Sequence, residues 1–169
     1  MSIESLNAFS MDFFSLKGKT AIVTGGNSGL GQAFTMALAK AGANIFIPSF
    51  VKDNGETKEM IEKQGVEVDF MQVGITAEGA PQKIIAACCE RFGTVDILVN
   101  NAGGGGPKPF DMPMADFRRA YELNVFSFFH LSQLVAPEME KNGGGVILTI
   151  TSMAAENKNI NMTSYASYH

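Results

Sequence analysis

The sequence is poor in cysteine and contains no long apolar run. Its two cysteines, Cys88 and Cys89, are adjacent and form neither a disulfide framework nor a metal-ligand spacing. We expect both to be small apolar residues of a helix in a reducing compartment. No apolar run approaches the roughly 20 residues that a membrane-spanning helix needs. Because residues 1–16 lack basic side chains, we expect no signal peptide there and a cytoplasmic location.

Charge is also scarce. Only 18% of the residues are charged, 46% are hydrophobic, and the net charge is -4. This balance is typical of a globular protein and argues against nucleic acid or an anionic membrane as a partner. A chain of 169 residues has the length of one ordinary domain. We expect an N-terminal extension over residues 1–16 and a single domain over residues 17–169.

Strand-like apolar runs alternate with helical patterns, which predicts an α/β fold with a parallel sheet and helices on both faces. Strands are expected at residues 20–24, 44–47, 66–73, 95–99 and 146–151. Pro48 should end the second strand, and Thr76 should cap the third helix. Helices are expected at residues 30–41, 54–64, 76–92 and 114–141, the last with a kink near Asn124.

A glycine-rich turn follows the first predicted strand. It runs from Thr24 to Gly31 with a G-x-x-x-G-x-G spacing at a strand-to-helix junction. Backbone amides at a helix N-terminus can approach a pyrophosphate closely only where side chains do not block them. The turn therefore predicts a dinucleotide site whose candidate residues are Gly25, Asn27, Ser28, Gly29, Leu30 and Gly31.

The end of the second strand lacks the acidic residue that binds the adenosine ribose in many NAD sites. Ser49 stands at that place. A serine does not repel a 2′-phosphate, and Lys52 could attract one, whereas the glycine turn carries no Arg or Lys. The choice between NAD and NADP therefore stays open.

Further motifs follow in a fixed order. They are Asn100 to Gly103 after the fourth strand, Asn124 in a Leu-Asn-Val run, Ser152 after the fifth strand, and Tyr165 thirteen residues later. Together with the glycine turn, they resemble the short-chain dehydrogenase/reductase family over residues 17–168. The resemblance implies a Rossmann-type doubly wound sheet, oxidoreductase activity, NAD or NADP as cofactor, and no metal.

The resemblance also implies residue roles. Tyr165 would be the general acid and base, Ser152 would orient and polarise the substrate oxygen, and Asn124 would hold a water in a proton path. Beyond the glycine turn, cofactor contacts are implied at Ser49, Gly74, Ile75, Asn100, Ala102 and Gly103. Gly74 replaces the aspartate with which the family usually meets the adenine. Substrate contacts are expected at Gly105, Ser152 and Asn157.

Position 169 departs from the family pattern. The family has a lysine four residues after its tyrosine, and this chain has His169. A unit charge about 5 Å away is worth roughly 3 kcal/mol at an effective dielectric near 20, or about a hundredfold in tyrosine ionisation. Histidine is mostly neutral at pH 7. We therefore expect severely reduced catalysis, with His169 a poor substitute for the lysine.

The closer resemblance changes near Gly103. Residues up to about 103 resemble gluconate and deoxygluconate dehydrogenases, and residues 103–167 closely resemble bacterial 7α-hydroxysteroid dehydrogenases. The change falls on a motif that both groups share, which predicts a recombinant of two relatives. Seven strands are typical of the family, and this sequence supplies about five, so the sheet is expected to be incomplete. An exposed edge strand at 146–150 and uncovered Phe126, Phe129 and Leu134 should result.

Three functional hypotheses follow. The first is an oxidoreductase of the hydroxysteroid type, acting on a secondary alcohol or ketone. The second is a sugar-acid dehydrogenase. The third is a non-catalytic remnant that binds nucleotide weakly or associates with relatives. The family is homo-oligomeric, but part of the usual subunit interface is expected to be missing here.

Overall fold

A computed structural model describes residues 10–105 and 109–156. Within these ranges the chain forms five strands: β1 (Thr20–Val23), β2 (Asn44–Ser49), β3 (Val68–Gln72), β4 (Ile97–Asn100) and β5 (Val146–Thr149). The helices are α1 (Gly29–Lys40), α2 (Glu56–Glu62), α3 (Ala80–Phe92), α4 (Met114–Tyr121) and α5 (Ser127–Lys141). A π-helical turn, Glu122–Phe126, joins α4 to α5, and single 3-10 turns lie at Met11–Phe14 and Met153–Glu156.

The strands form one parallel sheet in the order β3-β2-β1-β4-β5. Chain order therefore reverses between β1 and β4, where Ala21 pairs with Ile97 and Val23 with Val99. Loops leaving these two strands diverge and open a crevice at their carboxyl ends. The Rossmann-type doubly wound fold predicted from the sequence is confirmed, and the crevice is the expected position of a ligand site.

Two apolar layers enclose the sheet, because side chains alternate between its faces along each strand. On one face, Ile22 and Leu98 pack with α3 and α5. On the other face, Val23 and Ile47 pack with residues of α1 and α2. The predicted placement of helices on both faces is therefore confirmed, and the layers hold the strand ends in a rigid frame.

Two predictions about element ends were wrong. Pro48 does not end β2, since an extended strand accommodates the proline φ angle and its carbonyl still accepts a hydrogen bond from the Gly25 amide at 2.8 Å. The third helix begins at Ala80 and not at Thr76. Gly79 has a φ of 69°, which is not helical, and Pro81 then occupies the first turn, where its missing N–H is tolerated.

The edge strand β5 is open to solvent. In β5, Val146 is 53% exposed and Leu148 49% exposed. The rings of Phe126 and Phe129 are also exposed, as predicted. Leu134 departs from the prediction because it packs, half-buried, against the core. An uncovered apolar edge of this kind is a potential site of pairing with another chain.

Cys88 and Cys89 are free thiols on α3, as predicted for apolar helix residues. Burial raises the pKa of the Cys88 thiol, which is therefore inert at neutral pH. Over residues 10–105 and 109–156, no group of three or more His, Cys, Asp or Glu side chains is placed to hold a metal. Nor does any helix in those ranges have the length and apolarity to cross a membrane.

Asp96 fastens the start of β1 to the segment that enters β4. Its carboxylate accepts hydrogen bonds from the buried amide of Thr20 at 2.9 Å and from the Lys19 ammonium at 3.0 Å. The Asp96 side chain is 8% exposed, whereas that of Lys19 is 51% exposed. The backbone bond should therefore contribute more to stability than the half-exposed ion pair.

Replacing Asp96 should lower the free energy of unfolding mainly through the Thr20 amide. Asp96→Ala leaves that N–H buried and unpaired, a cost of about 1–3 kcal/mol. Lys19→Met removes only the ion pair and should cost less than about 1 kcal/mol. Urea unfolding of both variants measures the difference. Equal losses in the two variants would contradict this assignment.

Candidate functional site

A cleft of about 770 Å³ lies at the carboxyl ends of the strands, where chain order reverses. It is bounded by the glycine turn, the ends of β2 and β3, the segment after β4, and α4 with its π-helical turn. Among the predicted cofactor residues, those that line it are Gly25, Ser28, Leu30, Gly31, Ser49, Gly74, Ile75, Ala102 and Gly103. The fold thus brings together residues as far apart in the sequence as Gly25 and Leu123.

The glycine turn is shaped for close backbone approach. Gly25 has a φ of 65°, which disfavours residues with a side chain. A β-carbon on Gly31 would overlap the carbonyl oxygen of Gly25, so the first turn of α1 can pack against the turn after β1 only with glycine there. The Ser28 side chain does not cap α1, and its first turn contains no acidic residue. The N-terminal amides of α1 therefore remain available to an anion in the cleft.

The Thr24 hydroxyl joins the glycine turn to the segment after β4. Its Oγ1 donates to the Val99 carbonyl at 3.3 Å and accepts from the amides of Asn101 at 2.9 Å and Ala102 at 2.8 Å. The side-chain amide of Asn101 donates a hydrogen bond to the backbone carbonyl of Thr24 at 2.9 Å. Thr24 is fully buried, and its hydroxyl capacity is filled. Sequence reasoning missed this pair, although both residues lie within motifs that it identified.

Asn124 lies in the π-helical turn that replaces the predicted kink. Its amide group donates to the carbonyls of Gly104 at 3.0 Å and Ala120 at 2.8 Å, and its Oδ1 accepts from the Gly104 amide at 3.2 Å. A β-carbon on Gly103 would stand 2.8 Å from that oxygen. Asn124 is 5% exposed, so its side chain fixes the loop beside the cleft. Inserted π turns are frequent at functional sites.

Three predicted cofactor residues do not line the cleft. Asn100 is fully buried and donates to the Ser132 hydroxyl at 3.1 Å. Asn27 donates to the Val51 carbonyl at 2.8 Å, and its buried Oδ1 has no hydrogen-bond partner. Gly29 opens α1 with a φ of 51°. Asn100 therefore ties β4 to α5, whereas Asn27 and Gly29 shape the turn itself.

The predicted catalytic and substrate residues are described only in part. Ser152 is half-buried just after β5, and its Oγ accepts from the Ala154 amide at 3.1 Å. Gly105 is exposed, with a φ of 120°. Ser152 and Gly105 do not line the cleft described above. The remaining three residues, Asn157, Tyr165 and His169, lie outside the described residues.

The cleft also contains side chains that sequence reasoning missed. Phe50 and Val51 directly follow Ser49, so their place at the end of β2 could have identified them. Arg119 and Glu122 line the opposite wall, and Arg119 also pairs with Asp116 at 2.9 Å. No sequence motif marks these two, because their position depends on how α4 folds over the crevice.

Comparison with known proteins identifies the class. A profile of the short chain dehydrogenase family matches residues 19–167. The chain belongs to this family, and the predicted resemblance is confirmed. The fold and the arrangement of the glycine turn at the switch point agree with that membership.

Individual relatives are similar along most of the chain. The uncharacterized oxidoreductase YgcW of Escherichia coli (strain K12) is 75% identical over 154 residues, covering 90% of this chain and 59% of that protein. The 7alpha-hydroxysteroid dehydrogenase of the same organism is 59% identical over 160 residues, covering 94% of this chain and 63% of that protein. The 2-dehydro-3-deoxy-D-gluconate 5-dehydrogenase of Bacillus subtilis (strain 168) is 37% identical over 162 residues, with the same coverages.

A solved structure shows the same fold. It is a 7 alpha-hydroxysteroid dehydrogenase complexed with NADH and 7-oxo glycochenodeoxycholic acid, with a TM-score of 0.87 and 57% identity. The match covers 95% of this chain and 63% of that one. This chain therefore spans about 60% of the length of the relatives that it matches.

The Thr24 bridge gives a site-specific prediction. Thr24→Val keeps the shape of the side chain but removes the acceptor for the Asn101 and Ala102 amides, whereas Thr24→Ser retains it. Amide hydrogen exchange followed by NMR should therefore quicken at residues 101 and 102 in the valine variant only. Unchanged protection in Thr24→Val would show that the hydroxyl does not hold this segment.

Proposed function

We propose that this chain is an NAD- or NADP-dependent oxidoreductase that interconverts a secondary alcohol and a ketone, with a hydroxysteroid as the substrate type. The observation that carries the proposal is the cleft at the switch point, which the glycine turn enters with uncapped helix amides. Its family membership supports the same reaction class.

The residues present suit a dinucleotide. Side chains are excluded at Gly25 and Gly31, where a pyrophosphate would approach the amides of α1. Ser49 stands at the end of β2 with no carboxylate beside it among the cleft-lining residues, so NAD and NADP both remain candidates. When bound, the dinucleotide supplies or accepts a hydride at its nicotinamide ring.

The chain's own residues would then manage the proton and the substrate oxygen. During oxidation, the alcohol C–H bond breaks and its electron pair leaves with the hydrogen as hydride, while the O–H proton passes to Tyr165. Ser152 would donate a hydrogen bond to the substrate oxygen and orient it. Asn124 would keep the loop at Gly104 in place while it supports a proton path. Ketone reduction reverses each transfer.

The second part of the chain favours a hydroxysteroid as the substrate type. The positions assigned to substrate contact, Gly105, Ser152 and Asn157, all lie in the part that resembles hydroxysteroid dehydrogenases. A relative of that name is 59% identical, compared with 37% for the gluconate-type relative. A sugar-acid substrate remains the second candidate because residues up to about 103 resemble that group. A non-catalytic remnant is the third, favoured by His169 at the family's lysine position.

We also propose that the chain joins two parental sequences near Gly103. The chain is 75% identical to YgcW and 59% identical to the 7alpha-hydroxysteroid dehydrogenase, over alignments that cover 90% and 94% of the chain. The sum of these two identities exceeds 100% by 34 percentage points. In a recombinant every position matches at least one parent, and both match only where the parents agree. In such a recombinant, these 34 points are the identity expected between the two parents.

Aligning the two parts separately tests the recombination. Residues 10–103 should match one relative almost completely and the other at about the family background, and residues 104–167 should show the reverse. A uniform identity of 75% to the first relative along both parts would contradict it.

Turnover of the purified chain tests the reaction. Absorbance at 340 nm should report slow NAD or NADP reduction with a 7α-hydroxy bile acid and less with gluconate. Tyr165→Phe should abolish this turnover, because the proton acceptor is gone. A preference for gluconate would select the second candidate, and turnover that survives in Tyr165→Phe would refute the assigned chemistry.

Position 169 offers a gain-of-function test. His169→Lys supplies a permanent cation and should raise turnover at pH 7 by about a hundredfold, with less gain at high pH, where the tyrosine ionises unaided. His130→Lys is the matched control, since His130 does not line the dinucleotide cleft. A wild-type rate at pH 7 equal to that of full-length relatives would contradict the need for the cation.

A further inference from the structure

Phe50 is an exposed aromatic ring inside the cleft. It follows the last residue of β2, lines the cleft, and is 80% exposed. Within residues 10–105 and 109–156, the Phe50 ring stacks on no other aromatic ring and lies under no cation. Val51 and Leu30 line the same cleft and are 63% and 68% exposed. Large apolar side chains exposed together in a concave site mark a contact surface for a ligand.

The pairing of β2 with β3 places Gly74 beside this ring. Ser49 is in register with Gln72, and the Val73 amide donates to the Ser49 carbonyl at 2.8 Å. A β-carbon built on Gly74 would lie 3.6 Å from Cδ2 of Phe50, which is ordinary van der Waals contact. The ring of Phe50 and the bare backbone of Gly74 therefore form two adjacent parts of one wall.

This wall carries no charge. The cleft-lining residues at the ends of β2 and β3, within the described ranges, are Pro48, Ser49, Phe50, Val51, Val73, Gly74, Ile75 and Thr76. The charged residues that line the cleft, Arg119 and Glu122, belong to α4 and the π-helical turn. In open α/β sheets the end of the second strand is the adenosine side of a dinucleotide site. A base bound here therefore meets no carboxylate from the strand ends.

We propose that Phe50 stacks on the base of the dinucleotide and that this end of the cleft barely distinguishes adenine from hypoxanthine. The proposal rests on the function proposed above. An aromatic ring offers every purine the same face, so stacking is tolerant of the groups on the edge of the base. Selection for the adenine amino group needs a fixed acceptor, and Gly74 provides no side chain to supply one.

Isothermal titration of the intact chain with two dinucleotides tests the proposal. NAD and nicotinamide hypoxanthine dinucleotide should bind with Kd values within about threefold of each other, as expected for stacking without edge recognition. Phe50→Ala should raise both Kd values by about tenfold or more, whereas Phe50→Tyr, which keeps an aromatic ring, should leave both near those of the unaltered chain. Phe129→Ala is the matched control, because Phe129 is also an exposed ring but does not line the cleft.

A second variant, Gly74→Asp, tests whether a carboxylate at this position creates a preference for NAD over the hypoxanthine dinucleotide. Gly74 has neither a positive φ nor a crowded Cβ position, so Gly74→Asp should fold. Its carboxylate should favour NAD over the hypoxanthine dinucleotide by about tenfold, because a hydrogen bond to a charged acceptor discriminates strongly.

The outcomes separate the inference from the proposed function. If NAD binds but the hypoxanthine dinucleotide is at least tenfold weaker in the unaltered chain, the base-tolerance inference is wrong and the proposed function stands. If Phe50→Ala changes neither Kd, the stacking role is wrong. If neither of these dinucleotides binds and NADP does not bind either, the proposed function falls and the inference falls with it.

Discussion

The rest of the structure depends on the close approach of two backbone segments at the switch point of the sheet. The turn after β1 and the segment after β4 lie so near that a β-carbon on Gly25 would stand 3.3 Å from Cα of Ala102. The Thr24 hydroxyl satisfies two amides across this gap, and the carbonyl of Pro48 satisfies a third from the side of β2. With these backbone groups paired inside the protein, the amides of α1 remain for a ligand.

The same frame explains the uneven polarity of the cleft. The glycine turn contributes backbone to the cleft, and the wall at the ends of β2 and β3 carries no charge. The charged side chains of the cleft lie on α4 and the π-helical turn. The π turn itself is held by Asn124, whose side chain bonds to the backbone of Gly104 and Ala120. A site of this kind recognises a ligand through shape, helix amides and ring contact more than through charged side chains.

Sequence reasoning predicted the sheet, the glycine turn and the family because those features are local. Glycine spacing and apolar runs act over a few residues, so they can be read without knowing the fold. It failed where tertiary context decided the outcome. Pro48 continues β2 because its carbonyl has a partner in the turn, and Asn100 turned inward to Ser132. Arg119 lines the cleft because of how α4 packs, which no local pattern encodes. Phe50 directly follows Ser49, so its position at the end of β2 could have been predicted.

The most direct test of the account is an NMR titration of the intact chain with NAD, read at the backbone amides. The account predicts saturable shift changes concentrated at residues 25–31 and 101–104, with smaller ones at residues 73–76, because these segments surround the cleft. Shift changes confined to β5, or none with either NAD or NADP at millimolar concentration, would contradict the claim that the switch-point crevice is a dinucleotide site.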